Sequence, residues 1–311
     1  AITPTDTNAV TARLVSSNPG IGSTPVINGS SIATFTVDAG NGTDVVTVNG
    51  TTAGDDIAVD RTASTVQVNA LQTVTIASEA IVVAAGLGDD VIAVTGAGAS
   101  SLTVDGGQPT ASDALNLTAT NATVTYGTDP SSGTVNDISF LGIEHLGLFG
   151  DGTGTLTVNG TSGNDAINQN GNSVTVNDGA TVDFADYPTL TLNGNNGDDT
   201  FNVHPTTLVG VNTFNVSGGD PTASDTVIIN GTAGDDAIVY SPVSLDSGNV
   251  TVNGQVTNFT GTEHLTINGL SNFTGDSLTV DTASIDGTQV LTPGSTFDSG
   301  SVDFLTGGFD T

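Results

Sequence analysis

Six near-copies of one nine-residue turn, several of them spaced at a fixed interval, constrain this chain more than any other feature. The clearest copy is Gly231-Thr232-Ala233-Gly234-Asp235-Asp236-Ala237-Ile238-Val239, a glycine turn, two adjacent carboxylates and the start of a β-branched run. The others occupy residues 39–47, 51–59, 85–93, 160–168 and 194–202. Starts at 51 and 85 lie 34 residues apart, as do those at 160 and 194, and 194 to 231 is 37. A turn recurring at that interval marks a repeated supersecondary unit.

Between the turns stand short triplets of the form apolar–polar–apolar. Examples are Val46-Thr47-Val48, Leu102-Thr103-Val104, Leu156-Thr157-Val158, Phe214-Asn215-Val216 and Leu265-Thr266-Ile267. Alternation with period two is the mark of a strand with one buried face. No amphipathic helical window interrupts them, so the class is all-β. Longer segments also recur. Gly106-Gly107-Gln108-Pro109-Thr110-Ala111-Ser112-Asp113 returns as Gly218-Gly219-Asp220-Pro221-Thr222-Ala223-Ser224-Asp225, a shift of 112. Glu144-His145-Leu146 returns as Glu263-His264-Leu265, a shift of 119. Two super-repeats, about 49–158 and 159–280, follow from these shifts.

An interval of 34–37 residues holding three short strands predicts one coil of a three-sided parallel β-solenoid, a β-helix with small apolar side chains stacked inside. The competing architecture is a tandem pair of antiparallel β-sandwich repeats. Asn-Gly turns favour it, as in the hairpin pattern Val250-Thr251-Val252-Asn253-Gly254-Gln255-Val256-Thr257. The solenoid accounts for the turn spacing. Residues 1–30, with Pro4, Pro19 and Pro25, read as an N-terminal arm or cap, 31–291 as the repetitive solenoid, and 292–311 as a C-terminal tail or cap carrying Phe297, Phe304 and Phe309.

Charge narrows the function. The formal net charge is −31, with Arg13 and Arg61 as the only basic residues and no Lys. That excludes nucleic acid as a partner, which requires basic patches, and argues against anionic membranes. No run reaches transmembrane length. Of the 33 acidic residues only Glu79, Glu144 and Glu263 are Glu. Asp is short, tolerates left-handed backbone and bonds its own turn, so the bias points to turn or cation chemistry. Bound divalent cations would relieve the self-repulsion of so acidic a chain.

The nonapeptides resemble the glycine–aspartate repeat of RTX-type calcium-binding β-rolls, G-G-x-G-x-D-x-U-x. Bacterial repetitive β-solenoid surface and adhesin proteins look similar. The resemblance implies that the sixth-position carboxylates, Asp44, Asp56, Asp90, Asp165, Asp199 and Asp236, bind Ca2+ between stacked turns. Fifth-position Asp55, Asp89, Asp198 and Asp235 would add a second carboxylate. Ca2+ takes six to eight oxygens in flexible geometry, which carboxylates and turn carbonyls supply. One departure is that the copies here are isolated, whereas a β-roll has them in tandem.

Catalytic constellations are weak by comparison. The two Glu-His pairs are strand neighbours whose side chains point to opposite faces, so they cannot serve one substrate together. The expectation is therefore an extracellular structural protein and not an enzyme. It would be a Ca2+-stabilised subunit of a surface filament, sheath or layer, secreted with its signal peptide removed. Assembly would run head to tail with its own copies through 1–30 and 292–311, with surface polysaccharide as a second class of partner and no membrane insertion. The alternative is a monomeric adhesin or a carbohydrate-binding or carbohydrate-cleaving β-helix.

Overall fold

The computed structural model describes residues 2–6, 9–13, 26–30, 34–40, 43–108, 112–129, 131–220, 224–270, 275–282, 289–293 and 300–304, with side chains described from 34 to 282. Phe297 and Phe309, and most of the predicted arm and tail, lie outside the described residues.

The strands begin with β1 Ile2–Asp6, β2 Ala9–Arg13, β3 Val26–Ser30, β4 Phe35–Asp38, β5 Val45–Asn49, β6 Asp56–Asp60, β7 Thr65–Val68 and β8 Val74–Ala77. Next come β9 Ala80–Gly86, β10 Val91–Thr95, β11 Ser101–Gly107, β12 Ala114–Thr118, β13 Ala122–Tyr126, β14 Gly133–Val135, β15 Ile138–Leu141 and β16 His145–Phe149. Then follow β17 Thr155–Asn159, β18 Ala166–Gln169, β19 Ser173–Val176, β20 Thr181–Ala185, β21 Thr189–Asn195, β22 Thr200–Val203, β23 Thr213–Gly219 and β24 Thr226–Asn230. The last are β25 Ala237–Pro242, β26 Gly248–Val252, β27 Gln255–Thr260, β28 His264–Asn268, β29 Ser277–Val280, β30 Gln289–Pro293 and β31 Gly300–Phe304. A single 3-10 turn, Pro205–Thr207, is the one helical element among the described residues.

The chain divides into two compact units, Ala1–Thr161 with Asn172–Pro188, and Ser162–Gly171 with Thr189–Thr311. In both units the solenoid strands fall into two sheets, called I and II here. In the first unit, sheet I runs β17-β13-β14-β15-β11-β9-β5-β1-β2-β3 and sheet II runs β19-β20-β16-β12-β10-β6-β7-β8-β4. In the second, sheet I runs β29-β25-β26-β27-β23-β21 and sheet II runs β28-β24-β22-β18. The predicted all-β solenoid is what forms, with two sides in place of three.

The extra strands of the 34-residue intervals explain the difference. Where the chain winds simply, it alternates between the sheets and advances one rung per turn. Such a bare coil is short, 23 residues from Asp90 to Asp113 and 26 from Asp199 to Asp225. Elsewhere the chain overshoots and folds back. β13 pairs with β17, then β14 and β15 return antiparallel until β15 lies parallel on β11. β25, β26 and β27 do the same between β29 and β23. In sheet II of the first unit, β6 pairs with β10, and β7 and β8 return to meet β4. The 34-residue spacing is a coil plus such a meander, whereas the 37 residues from 194 to 231 hold β22, β23 and β24, a bare coil and the start of the next. The hairpin pattern at 250–257 is thus real as well: Asn253 and Gly254 both have positive φ, 49° and 90°, and join β26 to β27.

Strand pairing returns after every twelve strands. In the first unit β9 pairs β11, β10 pairs β12, β11 pairs β15 and β12 pairs β16. In the second, β21 pairs β23, β22 pairs β24, β23 pairs β27 and β24 pairs β28. In-register stacking builds the core as columns of like side chains. Ile57, Ile92, Leu115, Leu146 and Val182 form one column, and Ile167, Phe201, Val227 and Leu265 another. All but Leu265 are buried. Each buried Val, Leu, Ile or Phe contributes about 1.5–3 kcal/mol over leaving it in water.

Candidate functional site: two carboxylate ladders

The glycine–aspartate turns with Asp55, Asp90, Asp165 and Asp199 sit where the chain turns into sheet II, those with Asp44 and Asp236 where it turns into sheet I, and their carboxylates are stacked rung on rung. The backbone N–H of Asp55 donates to Asp90 Oδ1 at 2.7 Å, that of Asp90 to Asp113 Oδ1 at 2.8 Å, and that of Asp113 to Glu144 Oε2 at 2.8 Å. The second unit repeats the series: Asp165 to Asp199, Asp199 to Asp225, and Asp225 to Glu263, each at 2.8 Å. The members of the two series are related by shifts of 110, 109, 112 and 119 residues. Single links of the same kind join Asp44 N–H to Glu79 Oε2 at 3.1 Å and Asp236 N–H to Asp276 Oδ1 at 2.9 Å.

The reason is local. The corner residue lies just outside the strand, so its N–H has no ladder carbonyl to meet. Its own C=O still serves the sheet, accepting from Val91 N–H at Asp55, Ala114 N–H at Asp90 and Thr226 N–H at Asp199. The carboxylate of the following coil takes the place of the missing carbonyl acceptor. Asp, which bonds main-chain groups readily at turns, fills most of these corners, and Glu144 and Glu263 fill the last rung of each ladder.

Asp55 and Asp236 carry an additional cap. Asp55 accepts from Thr51 N–H at 2.5 Å, from Thr51 Oγ1 at 3.0 Å and from Asn69 Nδ2 at 2.5 Å. Asp236 accepts from Thr232 N–H, Thr232 Oγ1 and Asn253 Nδ2 at 2.7, 2.9 and 2.6 Å. Donors therefore surround these two carboxylates.

The middle rungs differ. Asp90, Asp113, Asp199 and Asp225 are completely buried, and Oδ2 of each accepts no hydrogen bond among the described residues. Burial away from water pushes the Asp113 and Asp199 carboxyls up to about 6, and neighbouring carboxylates add to the shift. Asp90 and Asp225 are raised for the same leading reason. Two ionised carboxylates one rung, about 4.8 Å, apart repel by about 3 kcal/mol at an effective dielectric near 20.

Of the ten carboxylates implied by the resemblance, Asp55, Asp90, Asp165, Asp199 and Asp236 are buried corner residues. Asp56, Asp89, Asp198 and Asp235 are exposed, and Asp44 is half-buried. Asp89 and Asp198 instead accept from Ser112 N–H and Ser224 N–H of the following coil, at 3.1 and 3.0 Å. Among the described residues, no three of His, Asp and Glu are grouped so as to hold a metal ion. The copy assigned to 51–59 begins at Gly50: counted from there, Asp55 and Ile57 occupy the positions of Asp165 and Ile167 counted from Gly160.

Sequence reasoning missed four rungs. Asp113 and Asp225 close the repeated octapeptides, and Glu144 and Glu263 open the repeated Glu-His pairs. Their repetition was visible, but the shared ladder was not, because no nonapeptide surrounds them. The histidines project outward, and His264 Nε2 lies 3.0 Å from Ser224 Oγ.

Compared with known proteins, the chain matches no family model and no curated protein.

Proposed function

We propose that this chain is an extracellular structural protein, a subunit of a surface filament, sheath or layer, in which the repeat itself is the working part. One observation carries the reading. The carboxylates that recur through the sequence are consumed as coil-to-coil rungs, in the same order in both units. Selection for such a series favours a scaffold that holds its form along many coils. Outward positions on the strands carry Thr, Asn and Ser, several joined between rungs, as in Asn202 to Asn168 and Asn258 to Asn215. Divalent counter-ions such as Ca2+ enter the same proposal as what offsets the formal charge of −31.

The test is the state of association of the purified chain. Electron microscopy and sedimentation, with Ca2+ and with EGTA, should show fibres or sheets that form in calcium and grow with concentration. A monodisperse monomer under every condition would overturn the reading.

A further inference from the structure

The middle rungs pose a physical problem that the structural role alone does not solve. A buried carboxylate oxygen without a donor is costly unless it carries a proton or meets a cation. At three of these rungs a second acceptor stands beside it. A Cβ built on Gly106 would meet Gly142 O and, at 2.8 Å, Asp113 Oδ2. One on Gly194 would meet Asp199 Oδ2 and, at 2.6 Å, Gly218 O. One on Gly218 would meet Gly261 O and Asp225 Oδ2. At each of these corners a carboxyl oxygen and a main-chain carbonyl of the next coil crowd the same glycine, and both are acceptors.

We propose that Asp113, Asp199 and Asp225 each take up a proton from solvent on Oδ2 and direct it toward the carbonyl of the following corner, so that the two ladders form an acid-closed latch between coils. With the proton present, Oδ1 still accepts the N–H of the preceding rung and Oδ2 becomes a donor. Without it, adjacent carboxylates repel along the ladder. The groups facing Asp113 are Asp89, Asp90 and Glu144, those facing Asp199 are Asp165, Asp198 and Asp225, and those facing Asp225 are Asp198, Asp199, Asp220 and Glu263. All are acidic. The one basic side chain described, Arg61, is engaged with Asp137.

The sign follows from proton linkage. With folded-state values raised to about 6 at Asp113 and Asp199, the native state binds more protons than the unfolded chain between about pH 4 and 6. The stabilisation is complete below the unfolded value and is lost as pH rises through about 6.

Two measurements on the full chain test this. Carbon-13 NMR of the aspartate Cγ atoms, assigned with single Asp→Asn variants, should give three midpoints well above the ordinary carboxylate range. Midpoints near 4 overturn the proposal. Thermal unfolding between about pH 8 and pH 5 should show the melting temperature of the wild type rising as pH falls. Asp113→Asn/Asp199→Asn/Asp225→Asn, whose amides donate where the acid would, should melt higher at pH 8 and depend less on pH. A wild-type melting temperature that is flat or falls over this interval counts against the latch. So does a fall at pH 8 on adding EGTA that the triple variant does not show, because a cation would then occupy Oδ2.

Discussion

Gly218 shows how little room the corners leave. A Cβ there would press on Gly261 O of the next coil and lie 2.9 Å from Asp225 Cβ, atoms fixed by the sheet and the ladder. Gly218→Ala should therefore cost about 1–3 kcal/mol by overpacking, read from chemical denaturation. Gly234, in an exposed turn, has Thr232 Oγ1 at 3.7 Å as its nearest neighbour, so Gly234→Ala should change stability by no more than about 0.5 kcal/mol. Equal effects would show that the corner yields more easily than its packing suggests. Arg61 makes a second argument at this scale. Its guanidinium, 6 % exposed, grips Asp137 with bonds of 2.9 and 2.7 Å and also donates to the Gly98 and Ser100 carbonyls. Asp137 is largely exposed, so Asp137→Ala should cost about 1.5 kcal/mol, the lower end for a charged hydrogen bond. The Arg61 hydrogen bond holds the Asp137 carboxyl below the usual range. Its contribution is present above the unfolded value and is lost as pH falls, so wild type and variant should converge below about pH 4.

The meander is the element that sets this solenoid apart from a plain coil, and one residue type locks it. Asn69, Asn136 and Asn253 all have φ near 50° at the meander's turn. Each Oδ1 accepts the N–H of a residue at the head of the meander, Asp56, Thr123 and Ala237 respectively, at 2.9 Å. The amide groups of Asn69 and Asn253 also cap Asp55 and Asp236. The turn thus fastens both the hairpin and the first rung. Asn253→Ala removes two hydrogen bonds, about 1 kcal/mol each, and forces a left-handed conformation costing about 1–2 kcal/mol. Asn253→Gly keeps the conformation and loses only the bonds. Urea denaturation should rank wild type above Asn253→Gly above Asn253→Ala, and the reverse order for the two variants would remove the conformational part of the argument. The turn at Asn253-Gly254 was legible in the sequence as an Asn-Gly hairpin, those at Asn69-Ala70 and Asn136-Asp137 were not, and the triplets were legible as strands. What could not be read was the partner of each strand. Alternation with period two states which side chains are buried, and it is the same whether the neighbour runs parallel or antiparallel. The 34–37-residue interval was therefore taken as three faces of one coil, when its extra strands are a meander in the plane of a sheet, as in β6-β7-β8, or, from 194 to 231, the first strand of the next coil.

At the scale of the whole chain the twelve-strand repeat makes an independent statement about modularity. β4 lies parallel on β8, as β16 lies on β20, and β1 lies beside β5 as β13 lies beside β17. The hairpin β30–β31 closes on a Pro–Gly pair, Pro293 with Gly300, as β25–β26 does with Pro242 and Gly248, with one residue more between the two. Each coil is specified by its neighbours' columns and rungs, so stability in such arrays is close to a sum over nearest-neighbour terms. Removing one complete period should then leave every surviving interface with a partner of the kind it had. Deletion of residues 45–154 joins β4 to β17, as β16 is joined to β17 in the intact chain, and takes out 110 residues, the shift between Asp55 and Asp165. This shortened chain should keep a β-type circular dichroism spectrum and unfold cooperatively. Deleting residues 45–111, of comparable kind but out of phase, would bring β4 next to β12, set the Asp113 rung without its predecessors and leave the next meander with no strand to return to. That chain should expose apolar columns and aggregate. If both deletions behave alike, the columns and ladders are not in register-specific contact, and the period is only a pattern of composition.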